Sequence, residues 1–134
     1  MKPIKSICVI DDDPVYQFII KKSVLKINRE IELIGYTDAE VALSTFKELA
    51  KTGKNLPCLI LLDINLPKMD GWLFLKEYIK IKPYLTTKPD IFMASSSLVP
   101  ADKEMAENHP DIKGFLLKPV DMAELLGRYG IRGE

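Results

Sequence analysis

The chain has 134 residues, of which 47% are apolar and 28% charged, and its formal net charge at neutral pH is zero. That balance excludes the global basic field of a nucleic-acid binder, and no apolar run is long enough for a membrane span or a signal peptide. The length suits one hydrophobic core, so residues 1–134 are expected to form a single domain.

In chain order, short apolar runs alternate with helical patterns. "SICVI" (6–10) reads as a first strand, buried on both faces. Asp13 then offers an N-cap and Pro14 a first helical position, with Val15, Phe18, Ile19 and Leu25 marking an apolar stripe that Lys22 interrupts. "IELIGY" (31–36) is mixed in character and reads as an edge strand. Asp38 caps a second helix whose stripe runs through Ala39, Ala42, Leu43, Phe46, Leu49 and Ala50 before Gly53 ends it. "CLILL" (58–62) is a third strand, and Trp72, Leu75 and Ile79 mark a third helix. "IFMA" (91–94) is a fourth strand, and Pro100 opens a short polar helix. "GFLL" (114–117) is a fifth strand, and Asp121 caps a short helix carrying Met122, Leu125 and Leu126. Cys8 and Cys58 both lie in apolar runs and read as reduced, buried thiols.

Strand–helix repeated five times, with right-handed crossovers, gives an α/β fold: a parallel five-stranded sheet covered by helices on both faces. Ligands in such folds bind beyond the carboxyl ends of the strands. The residues there are Asp11, Asp12 and Asp13 after the first strand, Asp63 after the third, Ser95, Ser96 and Ser97 after the fourth, and Lys118 with Pro119 after the fifth. If strands one, three, four and five are neighbours, these groups share one rim. Two carboxylates a few ångströms apart repel by roughly 3 kcal/mol at an effective dielectric near 20, so the cluster calls for a cation. Carboxylates without nearby His or Cys select a hard ion such as Mg²⁺, which keeps several waters and accepts phosphate oxygens. Lys118 suits a phosphate oxygen and a serine hydroxyl can donate to another. Together the groups suit an aspartyl-phosphate with Asp63 as nucleophile.

The motifs resemble the receiver domain of two-component response regulators over essentially the whole chain. "CVIDDDP" is similar to the family's acidic first-strand motif, and "LILLDINLPKMDGW" to its phosphoacceptor motif. "FMASSS" and "GFLLKP" are similar to its hydroxyl and lysine motifs. The resemblance implies a flavodoxin-like doubly wound sheet in the order 2-1-3-4-5. It implies Asp63 as phosphoacceptor, assisted by Ser95 and Lys118. It implies Mg²⁺, with Mn²⁺ as a substitute, on Asp11, Asp12, Asp63 and the backbone carbonyl of Asn65. Ser95 and Phe115 would form the switch, and the Lys118–Pro119 bond would be cis. Implied partners are a histidine kinase or phosphotransfer protein and a downstream output protein or domain, in the cytoplasm, without direct contact to nucleic acid or membrane. The last helix departs from the pattern: it is short, and "RYGIRGE" holds two glycines.

Plainer roles stand beside these. Asp13 reads as a helix cap, Asp70 as turn chemistry or a cap, Ser96 and Ser97 as small loop residues, and Trp72 as packing. His109, in "ENHPDI", reads as an ordinary loop residue far from the rim. Phe115 is either core or a rotameric switch. Three other functions compete with this one. A phosphohydrolase of the haloacid dehalogenase type would want an acid two residues after the nucleophile, where this chain has Asn65. A nucleotide or flavin carrier would want a glycine- or Ser/Thr-rich loop after the first strand, and "DDDPVY" is its electrostatic opposite. A degenerate receiver acting only as a binding module would not need every site position filled. The chain reads as a signalling phosphoacceptor, not an enzyme acting on a separate substrate, either free-standing or excised from a longer protein.

Overall fold

A computed structural model describes residues 3–133. Its elements alternate as expected: β1 (Ser6–Ile10), α1 (Pro14–Ile27), β2 (Glu32–Tyr36), α2 (Ala39–Lys51) and β3 (Leu59–Asp63), then α3 (Gly71–Ile81), β4 (Asp90–Ser95), α4 (Pro100–Asn108), β5 (Gly114–Leu117) and α5 (Met122–Gly127). All pairings are parallel and the sheet order is β2-β1-β3-β4-β5, so β2 is an edge strand as its mixed sequence predicts. Ile10 lies opposite Leu62, Asp63 opposite Ala94, and Ser95 opposite Leu117. This register puts Asp11 level with Asp63, while Ser95 and Lys118 follow just beyond that row, at four adjacent strand ends.

The central strands are apolar along their interiors because both faces are covered. Ile60 and Leu62 face a core with Phe46 of α2, Phe74 and Tyr78 of α3, and Ala106 of α4. Leu59 and Leu61 face a second core with Ile20 and Val24 of α1 and Leu125 and Leu126 of α5. Phe46 packs edge-on against both Tyr36 and Phe74, which ties α2 to β2 and α3. In α3 the buried stripe is Phe74, Leu75 and Tyr78, while Ile79 turns outward. Cys8 is buried and Cys58 half-buried, and neither is in a disulfide. Burial pushes the Cys8 thiol well above its ordinary range. Among the described residues no helix is long and apolar enough to cross a membrane.

The stripe expected on α1 is not the buried one. Val15, Phe18, Ile19 and Leu25 face solvent, with Phe18 59% exposed, and the helix instead buries Ile20 and Val24 with Tyr16 and Ile27 beside them. Both faces of "PVYQFIIKKSVLKI" carry apolar residues at helical spacing, so periodicity alone cannot choose between them. A polar anchor selects the rotation. The Gln17 amide nitrogen lies 3.3, 3.0 and 2.9 Å from the carbonyl oxygens of Val9, Asp11 and Tyr36. Gly35 makes room for it: a Cβ there would stand 2.0 Å from Gln17 Oε1. Phe18→Ser is therefore expected to change folding stability by no more than about 0.5 kcal/mol, unlike truncation of Ile20 in a core where such losses run to about 2–5 kcal/mol. Urea unfolding of the two variants checks this, and a loss at Phe18 matching that at Ile20 would contradict the observed rotation.

Candidate functional site

The site begins where β1 ends. Asp11 is 1% exposed, and its Oδ1 accepts the Asp13 backbone N–H at 3.0 Å. Asp13 in turn caps α1, accepting from the N–H groups of Val15 at 2.9 Å and Tyr16 at 3.3 Å. Two successive carboxylates thus hold the tight turn that leads from β1 into α1. Asp12, between them, points to solvent. At the end of β3, Asp63 is 6% exposed, and its Oδ1 accepts the Asn65 N–H at 3.0 Å. Ligand oxygens of Asp11, Asp12 and Asp63 all lie within 4.8 Å of one another.

Lys118 arrives from the end of β5 and pairs with Asp11, while its Nζ lies 3.1 Å from Asp63 Oδ2. The Lys118–Pro119 bond is cis. Three carboxylates against one ammonium leave negative charge uncompensated. The donors are all hard oxygens, and the set fits a divalent cation such as Mg²⁺. Burial raises the Asp11 pKa above its ordinary value, outweighing the pull of Lys118 and the Asp13 N–H. Burial also opposes the charge on Lys118, but the hydrogen bond and charge of Asp11, joined by Asp63, outweigh it and raise its pKa. Burial, then the charges of Asp11 and Asp63, push the Tyr16 phenol up to about 12.

The hydroxyl at the end of β4 is engaged as well. Ser95 is 1% exposed, and its Oγ accepts from the Asn65 side-chain amide and from the Ser97 N–H, each at 3.1 Å. Phe115 sits half-buried on β5 against the α2/α3 core. The loop between β3 and α3 folds tightly beneath Asp63. Lys68 takes a positive φ of 64°, Met69 N–H donates to the Pro67 carbonyl at 2.7 Å, and Gly71 N–H donates to the Ile64 carbonyl at 2.9 Å. Asp70 caps α3 through the Leu73 N–H at 2.9 Å. His109 lies between α4 and β5, at the end of β5 away from Lys118, where its Nδ1 accepts the Asp111 N–H at 3.0 Å.

Three contacts escaped the sequence reading. The resemblance implies only a carbonyl role for Asn65, yet its side chain reaches Ser95. Trp72 does more than pack, since its Nε1 donates to Asp102 Oδ1 at 3.2 Å and ties the start of α3 to α4. Tyr16 lies under the Lys118 ammonium, 4.6 Å from Nζ to the ring centroid. The only sequence hint for Tyr16 is its place in the first turn of the helix that follows the acidic run.

The sequence profile of the response regulator receiver domain matches residues 7–129. The chain belongs to that family. This receiver domain is 33% identical over 119 residues to the two-component response regulator ORR26 of Oryza sativa, a match covering 89% of this chain but 18% of the rice protein. Its fold superposes on a two-component response regulator from Cytophaga hutchinsonii with a TM-score of 0.84 at 27% identity, covering 96% of each chain. A response regulator from Legionella pneumophila gives 0.76 at 30% identity, covering 93% of this chain and 95% of the other. Asp11, Asp12 and Asp63 thus form the kind of acidic pocket in which receiver domains bind Mg²⁺.

A stability consequence follows for this receiver domain. The raised Asp11 pKa means the folded state favours the protonated acid, so that stabilisation is complete below the ordinary carboxylate pKa and is lost as pH rises through the folded value. Asp11→Asn mimics the protonated form. It is expected to raise the melting temperature of the metal-free protein by a few degrees at neutral pH and to match the wild type at strongly acid pH. Scanning calorimetry in a chelator across pH checks this, and an unchanged or lower neutral melting temperature contradicts it.

Proposed function

We propose that this receiver domain is a phosphorylation-controlled switch in which Asp63 accepts a phosphoryl group from a phosphohistidine on a histidine kinase or phosphotransfer protein. The observation that carries this reading is the meeting of Asp63 with Asp11, Asp12 and Lys118 at adjacent strand ends. A carboxylate oxygen of Asp63 attacks phosphorus, the phosphorus–nitrogen bond breaks, and the electron pair returns to the imidazole. Mg²⁺, held by Asp11, Asp12, Asp63 and the Asn65 carbonyl, would supply charge neutralisation for the phosphoryl oxygens; Mn²⁺ would serve as its substitute. Lys118 pairs with one phosphoryl oxygen and the Ser95 hydroxyl donates to another. Water later attacks phosphorus and regenerates the Asp63 carboxylate, so the domain assists its own transfer and hydrolysis and acts on no separate substrate.

The signal leaves through a surface. A phosphoryl group on Asp63 draws Ser95 inward and with it the loop after β4, vacating space beside Phe115. The Phe115 ring, half-buried at rest, then turns inward and reshapes the face of α4, β5 and α5. Both states must lie within a few kcal/mol for one modification to shift them. Residues 1–134 act as one domain in the cytoplasm, docking a phosphodonor and an output protein or domain without binding nucleic acid or membrane directly. The test is incubation with acetyl phosphate, followed by intact-mass analysis. One phosphoryl adduct is expected with Mg²⁺ and none with excess chelator. No adduct in either condition would overturn the reading.

A further inference from the structure

We infer that Tyr16 is a positioning residue for phosphoryl transfer: its ring face keeps the Lys118 ammonium in the site when a divalent cation takes the carboxylates. This rests on the phosphoacceptor reading and adds to it a residue outside the motifs. Among the described residues the Lys118 ammonium has three partners. Asp11 and Asp63 are two of them, and both belong to the acidic cluster. A divalent ion on those oxygens competes for them and repels the ammonium at the same time. The third partner is the Tyr16 ring, 4.6 Å from Nζ, and the ring face is not a ligand for a hard cation. It is therefore the one contact of the three for which a metal ion would not compete.

The ring is itself fixed. Tyr16 stands in the first turn of α1, its N–H bonded to the Asp13 cap at 3.3 Å, its side chain packed beside the α1/α5 core. The adjacent Gln17 anchors the same turn to the sheet through the Val9, Asp11 and Tyr36 carbonyls. Burial and the neighbouring carboxylates keep the phenol protonated, so the attraction is that of a cation to a ring and not to a phenolate. Without the ring, a lysine released from Asp11 regains its rotamer freedom and must be gathered again when the phosphoryl group arrives.

The test compares wild type, Tyr16→Phe and Tyr16→Leu, using beryllofluoride as phosphoryl mimic at saturating Mg²⁺. Tyr16→Leu is expected to weaken beryllofluoride binding roughly fivefold while its Mg²⁺ affinity does not fall, and Tyr16→Phe is expected to bind as wild type. Equal binding by Tyr16→Leu, or a parallel loss of Mg²⁺ affinity showing general damage to the site, overturns the inference. A second measurement needs no variant. In Mg²⁺-loaded wild type, ring current from Tyr16 should keep the Lys118 side-chain methylene protons shifted upfield of those of exposed lysines. Shifts matching exposed lysines overturn it. Wild type that takes no beryllofluoride removes the phosphoacceptor reading and this inference together, whereas normal uptake by wild type and Tyr16→Leu alike removes only the latter.

Discussion

Asp63→Asn is expected to abolish phosphorylation by acetyl phosphate completely, with the protein folded. An amide keeps the shape of the side chain and can still accept the Asn65 N–H now bound to Asp63 Oδ1 at 3.0 Å. It has no anionic oxygen to attack phosphorus, so chemistry is lost while geometry is kept. Stability should not confound the result. Asp63 shares its corner with Asp11 and Asp12, and removing one of three clustered negative charges relieves repulsion worth a few kcal/mol at close range. The variant gives up the 3.1 Å Lys118–Asp63 pair, which offsets part of that relief, but Lys118 still pairs with Asp11. The melting temperature should therefore hold or rise in the metal-free state as labelling disappears. Intact mass and calorimetry on one sample decide the matter, and a phosphoryl adduct undiminished in the variant would show that another residue is the acceptor.

Gly71→Ala is expected to destabilise the fold by about 2 kcal/mol or more and to slow phosphorylation of Asp63. Two effects oppose each other here. Alanine is the better helix former, by up to about 1 kcal/mol in a helix interior, and Gly71 opens α3. Yet a Cβ at Gly71 would lie 2.8 Å from the Asp63 carbonyl oxygen and 2.9 Å from Ile64 Cα. Both are main-chain atoms, so no side chain can swing aside, and forced contacts of this kind typically cost about 1–3 kcal/mol or somewhat more. The steric cost wins, and what it moves is the backbone that carries Asp63. Urea unfolding with the labelling rate gives both readouts. A variant as stable as wild type would show that the loop under Asp63 has slack.

The reach of the sequence depended on whether a feature was local. Strands such as "CLILL" announce themselves by continuous apolarity between turn residues, and the helix caps Asp13, Asp38 and Asp121 sit where local hydrogen bonding requires them. The meeting of Asp11, Asp63, Ser95 and Lys118 was legible because parallel topology brings all strand ends to one rim. What was missed was decided by partners far along the chain. The rotation of α1 is set by Gln17 against the Tyr36 carbonyl, and no window within the helix contains that information. The same holds for Tyr16 under Lys118 and for the Asn65 side chain on Ser95, whose contacts join separate strand ends.

The Ser95 contacts give the site a direction. Its oxygen already receives two hydrogen bonds, from Asn65 and Ser97, so both lone pairs are spoken for and only the hydroxyl proton remains to be given away. The group is thus pre-set as a donor before any phosphoryl oxygen arrives. An amide feeding a hydroxyl that feeds an anion is a chain of aligned dipoles, each link polarising the next. Such a chain would discriminate by polarity as well as by size: it would suit an oxyanion placed on Asp63 and would be mismatched to any newcomer that brings its own proton.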